Sequence, residues 1–216
     1  MSFTNRQDAG KKLAKALLKY HGSDTVVYAL PRGGAVLGYE VAKALGAPLD
    51  LVITRKIGHP LNPEYAICAV NENGDLVCDE SERGYIDKDW LREAVEREQK
   101  EISRRKAIYL PATGHIPARN RNAVIVDDGI ATGLTMRVAI MFLSKEKPKK
   151  LIVAVPVASR DTVEVMRKKV DRVVILKKDF LGAIGEHYDE FLPVEDDEVI
   201  SIMKTSSKKF KGKKYV

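Results

Sequence analysis

The segment Val124-Ile125-Val126-Asp127-Asp128-Gly129-Ile130-Ala131-Thr132-Gly133-Leu134-Thr135 constrains this chain more than any other. Residues 123–126 form an apolar run of the length of a buried strand, and Met136, Ala139, Ile140 and Leu143 recur at helical spacing after it. Between the two lie adjacent carboxylates and a turn of mostly small residues. Such a segment reads as strand, acidic tip, sharp loop and helix N-terminus. Backbone N–H groups at a helix start converge on an anion, and the Thr132 and Thr135 hydroxyls add donors. Carboxylates beside that nest do not suit the phosphate itself; they suit vicinal hydroxyls, directly or through a hydrated metal. A ligand with a terminal phosphate next to a diol is a phosphorylated ribose.

The rest of the chain alternates in the same manner. Residues 11–20 read as an amphipathic helix with Leu13, Leu17 and Leu18 inward, 25–30 as a strand, 34–45 as a helix closed by Gly46, and 49–55 as a strand. Strands at 123–127, 150–155 and 172–177 alternate with helices at 133–145 and 160–169. This pattern predicts a parallel sheet covered on both faces, with ligands at the carboxyl ends of its strands. A charged helix over 88–107 carries Glu93→Arg97, Glu96→Lys100 and Glu101→Arg105, ion pairs oriented for a largely solvent-facing helix.

Two further pieces fall at strand ends. In Pro31-Arg32-Gly33-Gly34 the glycines allow close backbone approach to an anion, and Arg32 offers a planar donor fork. Arg55-Lys56 closes the second predicted strand with two cations. A polar, proline-broken loop over 57–65 follows and is suited to closing over a site.

At these residues the chain resembles the type I phosphoribosyltransferases, and within them a bacterial and archaeal subgroup of predicted phosphoribosyltransferases. The resemblance spans residues 3–203. It implies an α/β fold, a parallel sheet flanked by helices with a small hood built from the two terminal regions; the hairpin and long helix read between 57 and 122 depart from that core as an inserted lobe or dimerisation arm. Residues 1–207 would form one such domain, with 57–122 as insertion, 178–207 as hood and 208–216 as a basic tail. Asp127 and Asp128 would hold the ribose hydroxyls of phosphoribosyl pyrophosphate (PRPP). Gly129, Ile130, Ala131, Thr132, Gly133, Leu134 and Thr135 would wrap its 5′-phosphate. Arg32, Gly33 and Gly34 would form the pyrophosphate loop, with a non-proline cis peptide near Arg32-Gly33. Arg55 and Lys56 would offset the leaving pyrophosphate, so that Asp127, Asp128 and Lys56 are the catalytic set. Mg²⁺ is the implied cofactor, bound mainly through PRPP and open to Asp127 and Asp128 through water.

One position departs from relatives that act on 6-oxopurines. They commonly carry an Asp just before Thr-Gly, and here Ala131 stands there, so the loop supplies no general base. Acceptor contacts are expected after the strand at 150–155, at Ser159 and Arg160. Phe180, Tyr188 and Phe191 could stack on a base or fill the core. The implied reaction is transfer of phosphoribose to a nitrogenous acceptor, as in nucleotide salvage; the alternative is a PRPP sensor without transfer activity. A homodimer is the implied assembly.

Composition excludes other classes. No apolar stretch reaches membrane-span length and the N-terminus lacks a signal-peptide pattern, so the cytoplasm is the expected location. The net charge is +7, but lysines 208, 209, 211, 213 and 214 supply five of it, and no nucleic-acid recognition motif accompanies them. Nucleic acid is therefore not an expected partner. His21, His59, His115 and His187 are scattered and read as surface or loop residues. If Asn73-Gly74 is a two-residue hairpin loop, Ala69 faces Cys78, and Cys68 lies on the other face. That register predicts two reduced cysteines.

Overall fold

The computed structural model describes residues 2–110, 114–178 and 182–210. Its elements in chain order are α1 (Arg6–Leu17), β1 (Thr25–Ala29), α2 (Gly33–Leu45), β2 (Leu49–Leu51), β3 (Thr54–His59), β4 (Asn62–Asn71), β5 (Leu76–Cys78), α3 (Glu80–Arg83), α4 (Lys88–Tyr109), β6 (Asn122–Val126), α5 (Leu134–Ser144), β7 (Lys150–Ala158), α6 (Arg160–Arg167), β8 (Arg172–Lys178) and α7 (Asp196–Phe210). A five-stranded parallel sheet runs β2-β1-β6-β7-β8, and a second, antiparallel sheet runs β3-β4-β5.

Every residue of β1 and β6 is buried, which requires cover on both faces. Alternation divides them. Val27, Ala29, Val124, Val126, Ile152 and Ala154 pack with Leu13 and Leu17 of α1 and Leu37 and Val41 of α2. Val26, Tyr28, Ile125, Val153 and Val155 pack with Met136 and Ile140 of α5 and Met166 of α6. Asn5 caps α1 through its side chain, which accepts from Asp8 N at 3.0 Å. Gly46, at φ 62°, ends α2 in the left-handed region.

Several expectations change. The predicted strand over 49–55 is two strands in two sheets: β2 ends at Leu51, and Arg55 and Lys56 lie near the start of β3. Hydrophobic periodicity cannot reveal such a change of sheet, because the run stays buried through Ile53. Leu18 is 52% exposed because a 3₁₀ turn over Leu18–Tyr20 tightens the chain after α1 and rotates that side chain outward. The helix α4 is not merely a solvent-facing rod: Ala94, Ile102 and Tyr109 are buried along one stripe. Of its expected pairs, Glu101–Arg105 forms at 2.7 Å. A helix over Asp196–Phe210, buried through Val199, Met203 and Ser206, occupies the region read as hood.

The hairpin register is also corrected. Asn71 N donates to Asp75 O, leaving a three-residue loop in which Gly74 takes φ 80°. Relative to a two-residue loop the pairing slips by one, so Ala69 faces Val77 and Cys68 faces Cys78. The two cysteines are joined in a disulfide and not reduced.

Among the histidines, His115 is a core clamp and not an ordinary surface residue. Its ring bonds Asp50 Oδ2 at 2.7 Å and Glu146 Oε1 at 2.6 Å. Asp50 is 1% exposed and also accepts from Ile116 N, while Glu146 accepts from Ala118 N. The triad pins the segment entering β6 to β2 and to the end of α5. His187, likewise, is buried.

Candidate active site

At the carboxyl ends of β1 and β6 lies a cleft of about 300 Å³, lined from four directions. Pro31, Arg32 and Gly33 enter from the β1–α2 turn, and Thr54, Arg55 and Lys56 from β3. Arg105 enters from α4, and Asp127 through Gly133, with Thr135, from the turn after β6; Ile184 closes one side. The α/β alternation puts these turns at one sheet edge because parallel strands all end there.

The carboxylates at the tip are unlike each other. Asp127 Oδ1 accepts from Asp128 N at 2.9 Å, and burial, then the neighbouring charge of Asp128, push its carboxyl well above the usual range. Asp128 Oδ2 accepts from Arg6 Nε at 2.8 Å, and the Asp128 carbonyl accepts from the Tyr188 hydroxyl at 2.6 Å. Two glycines make room for them. A Cβ on Gly33 would lie 2.0 Å from Asp128 Oδ2, and one on Gly34 would lie 2.8 Å from Val126 O and 3.0 Å from Asp127 Oδ1. Gly133, at φ 76°, turns the chain into α5. A cis peptide joins Pro31 to Arg32, one bond earlier than expected.

The expected cations gather here, but with partners. Arg32 Nη1 lies 3.1 Å from Glu195 and 3.8 Å from Asp196, and Arg55 Nε lies 2.8 Å from Glu98. Lys56 is exposed on the cleft wall. Four expected contacts stand outside the lining. Leu134 is buried among Ala69, Val77 and Val138. Ser159 caps α6, accepting from Thr162 N and donating to its Oγ1, and neither it nor Arg160 is among the lining residues. Gly34 is likewise absent from the lining, in the first turn of α2. Phe180 and residues 211–216 of the tail lie outside the described residues.

Sequence reasoning missed Arg6 and Arg105 at the site, and read Tyr188 only as an aromatic that stacks on a base or fills the core. Tyr188 is buried, stacked 5.5 Å from Phe3 and 4.9 Å from Phe191, so it is committed to packing and not free for a base. The Arg6 guanidinium stands 3.7 Å over the Phe191 ring. Contacts to Asp128 from 122 residues before it and 60 after it leave no local pattern.

No group of three or more His, Cys, Asp or Glu side chains among the described residues is placed to hold a metal. Asp127 and Asp128 offer a hard, oxygen-only donor pair. That suits Mg²⁺ only when a ligand's oxygens complete its shell.

A parallel sheet carrying a phosphate-sized turn, two carboxylates and converging cations at one edge defines the class. The family model described as phosphoribosyl transferase domain matches residues 3–190, and this chain belongs to that family. Two Mycobacterium tuberculosis proteins, of strains CDC 1551 and H37Rv, carry the provisional name phosphoribosyl transferase. Each is 39% identical over 211 residues, covering 96% of this chain and 48% of the relative, so the chain spans about half the length of the curated relatives it matches. The crystal structure of TT1426 from Thermus thermophilus superposes with a TM-score of 0.77 at 38% identity, covering 94% of this chain and 98% of that one. No helix among the described residues is long and apolar enough to cross a membrane.

Proposed function

We propose that this chain transfers the 5-phosphoribosyl group of PRPP to a nitrogenous acceptor, a nucleobase, with Mg²⁺ and release of pyrophosphate. One observation carries the reading. The Asp127-Asp128 tip and the turn into α5 share a single cleft with Arg32, Arg55, Lys56 and Arg105. A diol site, a phosphate nest and a cationic wall together match one ligand.

In this reading the N–H groups of residues 129–135 and the Thr132 and Thr135 hydroxyls take the 5′-phosphate. Asp127 and Asp128 take the ribose hydroxyls and are the residues that would hold Mg²⁺. When bound, the ion neutralises charge on the pyrophosphate oxygens. Displacement of pyrophosphate from the anomeric carbon builds positive charge on the ribose and negative charge on the leaving group. Carboxylates near the first and Lys56, Arg55 and Arg32 near the second stabilise both. Arg32 and Arg55 would exchange Glu195 and Glu98 for ligand oxygens. Ala131 offers no base, so the acceptor's proton leaves by another route, which favours acceptors outside the 6-oxopurines.

Asp128→Asn tests the assignment: it is expected to abolish PRPP turnover while circular dichroism and melting show an intact fold. Full activity in that variant contradicts the role. The same missing base, together with Ser159 and Arg160 standing outside the cleft lining, favours a second reading, a PRPP sensor without transfer. It requires PRPP to change affinity for a macromolecular partner. Unchanged partner binding with and without PRPP counts against it.

A further inference from the structure

We infer that Arg105, on the long helix α4, is a pyrophosphate ligand of this site. The inference rests on the phosphoribosyl transfer reading and deepens it by adding a contact from outside the strand-end loops. Arg105 lines the cleft although its side chain is only 13% exposed. Its Nε donates to Glu101 Oε1 at 2.7 Å. Among the described residues its two terminal nitrogens have no protein partner. The four N–H donors of those terminal nitrogens are therefore open to an acceptor that enters the cleft.

Its position within the cleft follows from its neighbours. One helical turn beyond Arg105, the Tyr109 hydroxyl donates to Asp196 Oδ1, which stands 3.8 Å from Arg32 Nη1. This stretch of α4 therefore runs beside the Pro31–Gly34 turn, in the same cleft. The helix stripe explains how it arrives there. Glu98, Ile102, Arg105 and Tyr109 recur at helical spacing on one face, with Ile102 and Tyr109 buried and Glu98 holding Arg55 across the cleft. So α4 is anchored by its apolar residues, and the anchored face delivers a planar cation fork to the leaving-group end. A fork fixed in this manner matches two phosphate oxygens at once.

Calorimetric titration with inorganic pyrophosphate and Mg²⁺, and separately with ribose 5-phosphate, tests this on the full chain. Arg105→Gln is expected to weaken pyrophosphate by about 10-fold or more, the scale of losing charge-assisted hydrogen bonds, while ribose 5-phosphate binds as to wild type. Glu101→Gln keeps the guanidinium but removes its helix partner, and should hold pyrophosphate at least as tightly as wild type. Pyrophosphate affinity within twofold of wild type in Arg105→Gln overturns the inference. So does equal weakening of both ligands, or equal weakening in Glu101→Gln, since each marks Arg105 as helix support. If wild type itself binds neither PRPP nor pyrophosphate, the transfer reading falls and this one with it. Wild-type binding with an unaffected Arg105→Gln removes this inference alone.

Discussion

Arg6 Nε donates to Asp128 Oδ2 at 2.8 Å, a bond between the first turn of α1 and the tip of β6, 122 residues later. The same guanidinium donates to Leu192 O at 2.6 Å and covers the Phe191 ring. The Tyr188 hydroxyl holds the Asp128 carbonyl from the same side, and Phe3 N and Asp189 N exchange backbone bonds with His187 O and Phe3 O. Asp128 is thus fastened at side chain and main chain by a clasp joining the two terminal regions.

Replacing Arg6 by Gln leaves a partly buried carboxylate without its charge partner. The expected result is a loss of about 1–3 kcal/mol in folding stability. In the proposed reaction, a PRPP kcat/KM lowered by about 10- to 100-fold should accompany it, since a freed Asp128 no longer presents one geometry. Urea unfolding and steady-state kinetics on the one variant check both. Unchanged values in the two would separate the clasp from the site.

Gly33→Ala is expected to disable ligand binding, because the new Cβ would stand 2.0 Å from Asp128 Oδ2 and 2.9 Å from Arg6 Nε. The backbone there is not left-handed, so the effect is one of close approach and not of dihedral freedom. Gly46→Ala is the contrast: that Cβ meets nothing within 4 Å, and the cost is the left-handed φ of 62° alone. Titration with PRPP should separate them, with Gly46→Ala binding as wild type and Gly33→Ala not binding.

His115 gives the fold a pH dependence. Burial pulls its pKa down, but hydrogen bonds and charges from Asp50 and Glu146 outweigh burial and push it up to about 10. A folded-state value above the unfolded ~6.5 means that stability is fully present below pH ~6.5 and lost as pH rises toward 10. The expected loss over that window is on the order of 3–5 kcal/mol. Denaturant unfolding at intervals from pH 6.5 to 9.5 checks it, and His115→Gln should flatten the slope. An equally steep slope in the variant would assign it to other groups.

The parallel sheet, the strand–turn–helix around Asp127 and the Pro31–Gly34 turn were legible because each is a local pattern of period and small residues. Arg55 and Lys56 were found at the right edge through a wrong strand, since burial continues across the switch from β2 to β3. The cysteine register failed on one loop residue, because a two-residue and a three-residue hairpin read alike around Asn73-Gly74. Arg105 was legible as half of an i,i+4 pair, but the pair alone does not show which face of α4 meets the core. Arg6 and Tyr188 reach Asp128 only through tertiary folding.

The central claim is tested most directly by pyrophosphate release from PRPP with Mg²⁺, against pooled purines, pyrimidines and small amines. The account predicts release that depends on an acceptor, is lost in Asp128→Asn, and narrows to one pool when the pools are split. No release from any pool, with PRPP intact and bound, would contradict it.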